Sequence, residues 1–323
     1  MKINILDVLI DNLTFAQVLE KIETFIIEGG PHHVVTPYAE SIVRAQSDSQ
    51  FREILNHADL AVPDGVSLLM AAKYLERAAI LNTRHSPYNS SSLSVLRCHS
   101  RENGNPEEPG SRISAQGGSA FGGKSGMTAS VRIARLLWEG IKTGLSAFFN
   151  RSYFDILTET VKGTDLMLAL CRLAAKKGWR VLLLGGWGGV GEETARVLRQ
   201  QYPTLSIEAT EGCRNVEGET EAEWLATREK LARVKPDLLF VAYGPVVQEK
   251  WIARHLSELS AKAAIGVAGA FDMISGRKRR SPVLLRNYGL EWLWRLLIEP
   301  SRIRRILTAF PYFPLLVFRK SLN

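Results

Sequence analysis

The chain has 323 residues but only three cysteines, Cys98, Cys171 and Cys213, and no C-x-x-C pair. Widely spaced and odd in number, they support neither a disulfide framework nor a structural zinc site, and a reducing cytosol fits them best. No uninterrupted apolar run reaches the about 18 residues that would span a bilayer. The start, Lys2-Ile3-Asn4-Ile5-Leu6-Asp7, lacks a charged leader with an apolar stretch behind it, so no signal peptide is expected. Acidic residues are scarce at the other end. From Arg277 onward eleven Lys or Arg stand against two acids, Glu291 and Glu299, in a chain whose formal net charge is +8. Such a segment seeks phosphates, whether on nucleic acid, anionic lipid or a diphosphate substrate.

What is present is a globular composition, 46% hydrophobic and 23% charged. The first seventy-odd residues alternate strand and helix patterns. A β-rich start from Ile3 to Ile10 leads into a helix from about Thr14 to Ile27, where Phe15, Val18, Leu19, Ile22, Phe25 and Ile26 recur at helical spacing before Gly29 and Gly30. Short strands follow at His33 to Thr36 and Leu60 to Val62, with helices from Ala39 to Gln46 and Gln50 to Ala58 between them. The second half repeats the rhythm more clearly. Thr164 is expected to cap a helix to Lys177; strands at Arg180 to Leu184, Leu205 to Ala209, Asp237 to Tyr243 and Ala263 to Val267 alternate with further helices. The fold class this predicts is α/β, a Rossmann-like parallel sheet sandwiched by helices.

Two stretches depart from that rhythm. From about Ser86 to Ser125 the composition turns to Ser, Gly, Asn, Arg and Pro, which reads as a disordered, low-complexity passenger in a tolerant loop. Val131 to Phe149 then reads as an amphipathic helix with Ile133, Leu136, Leu137, Ile141 and Leu145 along one side. The expected division is an α/β domain in two parts, 1–76 and 160–275, an insertion over 77–159 and a basic helical appendage over 276–323. In the appendage aromatics alternate with arginines, from Trp292 and Trp294 to Phe310, Tyr312 and Phe313. That pattern suits rings at headgroup depth and cations on lipid phosphates, against the alternative of a helix packed on the core. Truncation after about Pro300 is accordingly expected to leave the α/β body folded.

Several strand ends carry polar chemistry. The cluster Gly185-Gly186-Trp187-Gly188-Gly189 follows a strand and opens a helix, where backbone N–H groups can hold a diphosphate or simply make a tight turn. Glu208 lies near the distance at which a dinucleotide-binding site wants a ribose-binding acid, so a nicotinamide-dependent oxidoreductase stays open at this point. Asp64, in Val62-Pro63-Asp64-Gly65, lies where open α/β sheets line their ligand crevice. A carboxylate there accepts a proton, although Pro-Asp-Gly is also ordinary turn chemistry. Thr36-Pro37-Tyr38-Ala39-Glu40 sits at a strand end before a helix, so Thr36 and Tyr38 are expected to face the same crevice, although alone the stretch is an ordinary helix entry. Gln248 sits at another strand-to-helix junction, where its amide could bind substrate or hold the helix start.

In this order the motifs resemble the WecG/TagA/CpsF family of N-acetylmannosaminyltransferases, glycosyltransferase family 26. The likeness runs through Val34 to Glu40, Leu60 to Gly65, Gly163 to Leu166, Leu183 to Val190, Pro236 to Trp251 and Gly269 to Pro300, the last including Gly289-Leu290-Glu291-Trp292-Leu293-Trp294-Arg295. The resemblance implies inverting, metal-independent transfer of N-acetylmannosamine or its uronic acid from a UDP donor to GlcNAc on undecaprenyl diphosphate. The family's catalytic base then falls on Asp64, its substrate-contacting residues on Thr36 and Gln248, and its diphosphate-binding arginines on Arg295, Arg302 and Arg305. The chain lacks an Asp-x-Asp element to hold Mg²⁺, so cations and helix N-termini must offset the charge of departing UDP. No cofactor is expected, nor a nucleic-acid partner. The expected partners are the UDP-sugar, the lipid-linked diphosphate acceptor and the anionic inner face of the cytoplasmic membrane, and the oligomeric state stays open. Two positions differ from the family pattern: Tyr38 stands where it has Asn, and Thr160 where it has an arginine, with Arg151 and Lys162 as nearby substitutes. A non-catalytic peripheral membrane protein on the same fold is the third reading.

Overall fold

The computed structural model describes residues 1–83, 97–98, 129–149, 151–157, 159–279, 281–282, 285, 291–300 and 303–322. A hairpin opens the chain, β1 (Lys2–Ile5) against β2 (Val8–Asp11), turning through Leu6 and Asp7 at φ of 51° and 64°. The Asn4 side chain accepts the Asp7 N–H at 2.8 Å and so stabilises this left-handed turn. Helix α1 (Phe15–Glu28) starts in a capping box between Thr14 and Gln17 and stops at Gly29, as its spacing predicts.

Strand β3 (His32–Val35), helices α2 (Ala39–Ser47) and α3 (Ser49–His57), and strand β4 (Leu60–Ala61) complete the first part. Helix α4 (Val66–Thr83) then runs across the boundary drawn at residue 76, with Ala78 buried beyond it. Of the segment read as disordered, all but two residues lie outside the described ones; Arg97–Cys98 forms β5, antiparallel to Lys2–Ile3. Helix α5 (Ala129–Phe149) follows.

The second part alternates α6 (Gly163–Lys177), β6 (Arg180–Gly185), α7 (Val190–Gln201), β7 (Ser206–Thr210), α8 (Glu221–Val234), β8 (Leu238–Ala242), α9 (Val247–His255), β9 (Ala263–Gly266) and α10 (Ala270–Ile274). Thr164 does not cap α6. The helix begins one residue earlier, Lys162 holds the N-cap position without a side-chain bond, and the Thr164 hydroxyl instead approaches the Met273 sulfur at 3.7 Å.

Six strands form one parallel sheet in the order β4-β3-β9-β8-β6-β7. Val181 and Leu183 enter the core formed with α1, α6, α7 and α10, while Leu182 and Leu184 enter the opposite one beneath α8 and α9. Burial of both faces explains why β6, β8 and β9 read as nearly continuous apolar runs. Chain order and spatial order diverge around β3, β9 and β8, so the carboxyl ends of these strands open a crevice.

The tail comprises α11 (Glu291–Ile298), α12 (Ile303–Leu307) and α13 (Phe313–Leu322). One expectation fails here. Phe313 and Val317, four residues apart on one face of α13, are buried at 1% and 3% exposure within the core that also contains Ile42, Leu68 and Leu75. The last helix is part of the body, and only the residues before it resemble an appendage.

Candidate active site

The β3 and β4 ends stay laced beyond the strands themselves. Val62 N–H donates to Val35 O at 3.0 Å, Asp64 N–H to Pro37 O at 2.9 Å and Val161 N–H to Pro63 O at 2.8 Å. These bonds set three chain segments side by side at the crevice. Asp64 is half-buried there, and its Oδ2 accepts a long 3.4 Å bond from the N–H of Gly163, the first residue of α6. The positive end of that helix therefore faces the carboxylate. A Cβ on Gly163 would lie 3.6 Å from the Thr36 hydroxyl, which places Thr36 beside the same spot.

Tyr38 joins the tail to the crevice. Arg305 Nη2 donates to the Tyr38 hydroxyl at 2.6 Å and its Nε to Glu40 Oε2 at 2.7 Å, while the hydroxyl donates to the same Glu40 oxygen at 3.3 Å. Burial, reinforced by the Glu40 and Glu249 carboxylates, holds the Tyr38 phenol above its ordinary pKa despite the opposing pull of Arg305. It remains a neutral donor. Burial also disfavours the Arg305 charge, but Tyr38 and Glu40 outweigh it and the guanidinium is held above its ordinary pKa. Of the other tail arginines, Arg302 lies outside the described residues and Arg295 is described only by its place in α11.

Gln248 points inward. Its Oε1 accepts the Ala268 N–H at 2.9 Å in a part-buried setting, and its Nε2 donates to Glu249 Oε1 at 2.8 Å in a buried one. Its amide braces the loop after β9 against α9, leaving one amide hydrogen uncommitted. Gly266 is required beneath it, since a Cβ there would stand 2.5 Å from Nε2. The neighbouring non-glycine residues Val246 and Ala268 hold φ of 72° and 44°, backbone strain concentrated at the crevice.

Glu249 was not among the residues singled out by sequence. It is buried, its Oε2 has no hydrogen-bond partner, and burial raises its pKa above the ordinary 4.5 more than the bonds from Gln248 and the backbone lower it. A carboxyl raised in the folded state contributes stability that is present below about 4.5 and lost as pH rises through the folded value. Glu249→Gln is therefore expected to remove part of the decline in stability above that pH, read as denaturation midpoints of both proteins from acid to neutral pH. An unchanged pH profile would show that Glu249 titrates normally.

The glycine loop divides by cause. A Cβ would lie 2.9 Å from Ala242 O at Gly185 and 2.8 Å from the Phe271 ring at Gly186, so close packing requires both. Gly188 and Gly189 supply φ of 72° and 75° to the turn. The Gly189 N–H already donates to Glu211 Oε1 at 3.0 Å, and Arg277 donates to Gly188 O at 2.7 Å. Glu208, the acid the oxidoreductase reading needed, lies opposite Leu182 in mid-strand and pairs with Lys230. The carboxylate at the loop is Glu211, the first residue beyond β7, a position that strand-end spacing would have indicated. Among the described residues no three His, Cys, Asp or Glu side chains gather as a metal site, and no helix is long and apolar enough to cross a membrane.

The sequence matches that of the glycosyl transferase WecG/TagA/CpsF family over residues 3–89 and 148–323. Among characterised proteins it resembles N-acetylglucosaminyldiphosphoundecaprenol N-acetyl-beta-D-mannosaminyltransferase from Staphylococcus aureus strain MRSA252, 33% identical over 157 residues, or 49% of this chain and 59% of the relative. The protein of that name from strain NCTC 8325 / PS 47 is 34% identical with the same coverage. The alignment thus spans less than two thirds of these relatives' length.

Proposed function

The chain belongs to the WecG/TagA/CpsF glycosyl transferase family, and on that premise we propose that it moves N-acetylmannosamine, or its uronic acid, from UDP to a GlcNAc on undecaprenyl diphosphate. The product serves cell-envelope polysaccharide or teichoic acid synthesis. Asp64 takes the proton of the acceptor hydroxyl as its oxygen attacks the sugar C1 and the bond from C1 to the UDP phosphate oxygen breaks, with inversion. Thr36 and Tyr38 orient substrate, and Gln248 acts by holding the β9 loop in place.

Charge on the departing UDP is met by Arg295, Arg302 and Arg305 together with helix N-termini, without a metal ion. The observation that carries this reading is the half-buried Asp64 carboxylate facing the α6 N-terminus beside Thr36. Because the acceptor's diphosphate sits at a bilayer surface, the basic tail brings the crevice to the inner face of the cytoplasmic membrane.

Ligand-induced thermal shift tests the donor class. UDP and UDP-N-acetylmannosamine are expected to raise Tm and NAD to leave it unchanged, since a ligand at a hundred times its Kd stabilises the native state by about 2.7 kcal/mol. A shift with NAD and none with UDP would return the oxidoreductase reading.

A further inference from the structure

Helix α5 wears its apolar side outward. Leu136 and Thr143 are buried, and on the same side Gly140 and Gly144 allow close approach to α4: a Cβ on them would lie 3.6 Å from the Tyr74 ring and 3.9 Å from the Met70 methyl. The opposite side presents Leu137, Trp138, Ile141 and Leu145, between 50% and 65% exposed and spaced for a single helical face. A surface helix of a water-soluble protein ordinarily shows the reverse. Sequence periodicity grouped Leu136 with Leu137, Ile141 and Leu145, but the structure separates them.

The same character extends into the tail and no further. Apart from Met1, Ile27 and Leu225, every large hydrophobic side chain exposed among the described residues lies on α5 or between Leu297 and Leu315. These two elements are fastened to each other through α4 and α13. Arg132 donates from Nη2 to Leu322 O at 3.0 Å and from Nε to Asn82 Oδ1 at 3.1 Å, and Tyr74 shares a 3.1 Å bond with Ser321. Residues 90–147 fall outside the family match, so almost all of α5 is an addition to the common scaffold.

We propose that α5 and the exposed residues of the tail form one composite docking surface for an anionic phospholipid bilayer, with α5 inserting Leu137, Trp138 and Ile141 among the headgroups. The choice of occupant follows from charge and ring chemistry. Exposed Arg135 and Lys142 on α5 and Arg304 on α12 complement lipid phosphates, whereas a second copy would oppose cation to cation. An indole suits interfacial depth. Two apolar elements engaging one bilayer bind more tightly than either alone, because the second engages at high effective concentration.

This inference extends the membrane role assigned to the tail, and the test separates the two. Full-length protein is sedimented with phosphatidylglycerol/phosphatidylcholine vesicles in low salt, beside Leu137→Ser/Trp138→Ser/Ile141→Ser and the tail variant Leu307→Ser/Phe310→Ser. Both variants are expected to partition at least about tenfold more weakly, since bound affinity scales with apolar area, while Tm does not fall because the altered positions are exposed. Wild-type partitioning by the α5 variant beside a defect in the tail variant would overturn the role of α5 and leave that of the tail. Loss of self-association in the α5 variant with vesicle binding intact would assign the face to a second copy and overturn the proposal. No vesicle binding by the wild-type protein would end both.

Discussion

Asp64→Asn is expected to lower sugar transfer by roughly 10² to 10⁴-fold, the usual contribution of a general base. Shape is nearly unchanged, and an amide oxygen can still accept the Gly163 N–H that Asp64 Oδ2 accepts. In the proposed mechanism, what disappears is the capacity to take up the proton of the acceptor hydroxyl. The loss should therefore fall on turnover, while Tm and the thermal shift given by UDP stay close to those of the unmodified protein. That combination distinguishes a base from a turn residue: if Pro63-Asp64-Gly65 only shaped a turn, Asn would serve there almost as well. Single-turnover rates with a lipid-linked acceptor, measured beside the UDP shift, decide the matter, and near-normal rates would remove Asp64 from the mechanism.

The sheet was legible because its signals are local and agree with one another. Capping boxes at Thr14/Gln17 and Thr220/Glu223 lie just before helical periodicity, and Gly29 and Gly178 lie just after it. The crevice position of Asp64, Thr36 and Tyr38 follows from their place at strand ends, which sequence order alone supplies. Side-chain direction is another matter. Gln248 turns inward to Ala268 because an unusual backbone at Val246 and Ala268 aims both groups at each other, and nothing in the residue types announces that strain. Periodicity also leaves open which of two apolar faces meets the core. On α5 the small residues Gly140 and Gly144 decide it by permitting close contact, and the larger side chains go outward.

The same ambiguity affects the tail, where the largest stability effect is expected. Phe310 and Phe313 are three residues apart and chemically alike, yet one is 70% exposed and the other 1%. Phe313→Ala should cost on the order of 3 to 5 kcal/mol, the transfer free energy of the ring plus the cavity it leaves, and Phe310→Ser almost nothing. Against a typical total of about 5 to 15 kcal/mol this is a large fraction, so truncation after Pro300, which also removes Val317 and the Ser321 bond to Tyr74, should destabilise the whole body.

Arg305 makes the consequence functional, because it bonds Tyr38 and Glu40 and lies on α12, which the chain joins to α13 through Thr308–Tyr312. Loosening α13 is expected to loosen α12 as well and with it the bonds of the guanidinium to Tyr38 and Glu40. Phe313→Ala should then weaken the UDP thermal shift as well as lower the denaturation midpoint, whereas Phe310→Ser should alter vesicle binding alone. Denaturant titrations of the two variants provide the comparison. A cost below about 1 kcal/mol for Phe313→Ala would mean that α13 is not anchored in the core, and the tether on Arg305 would fall with it.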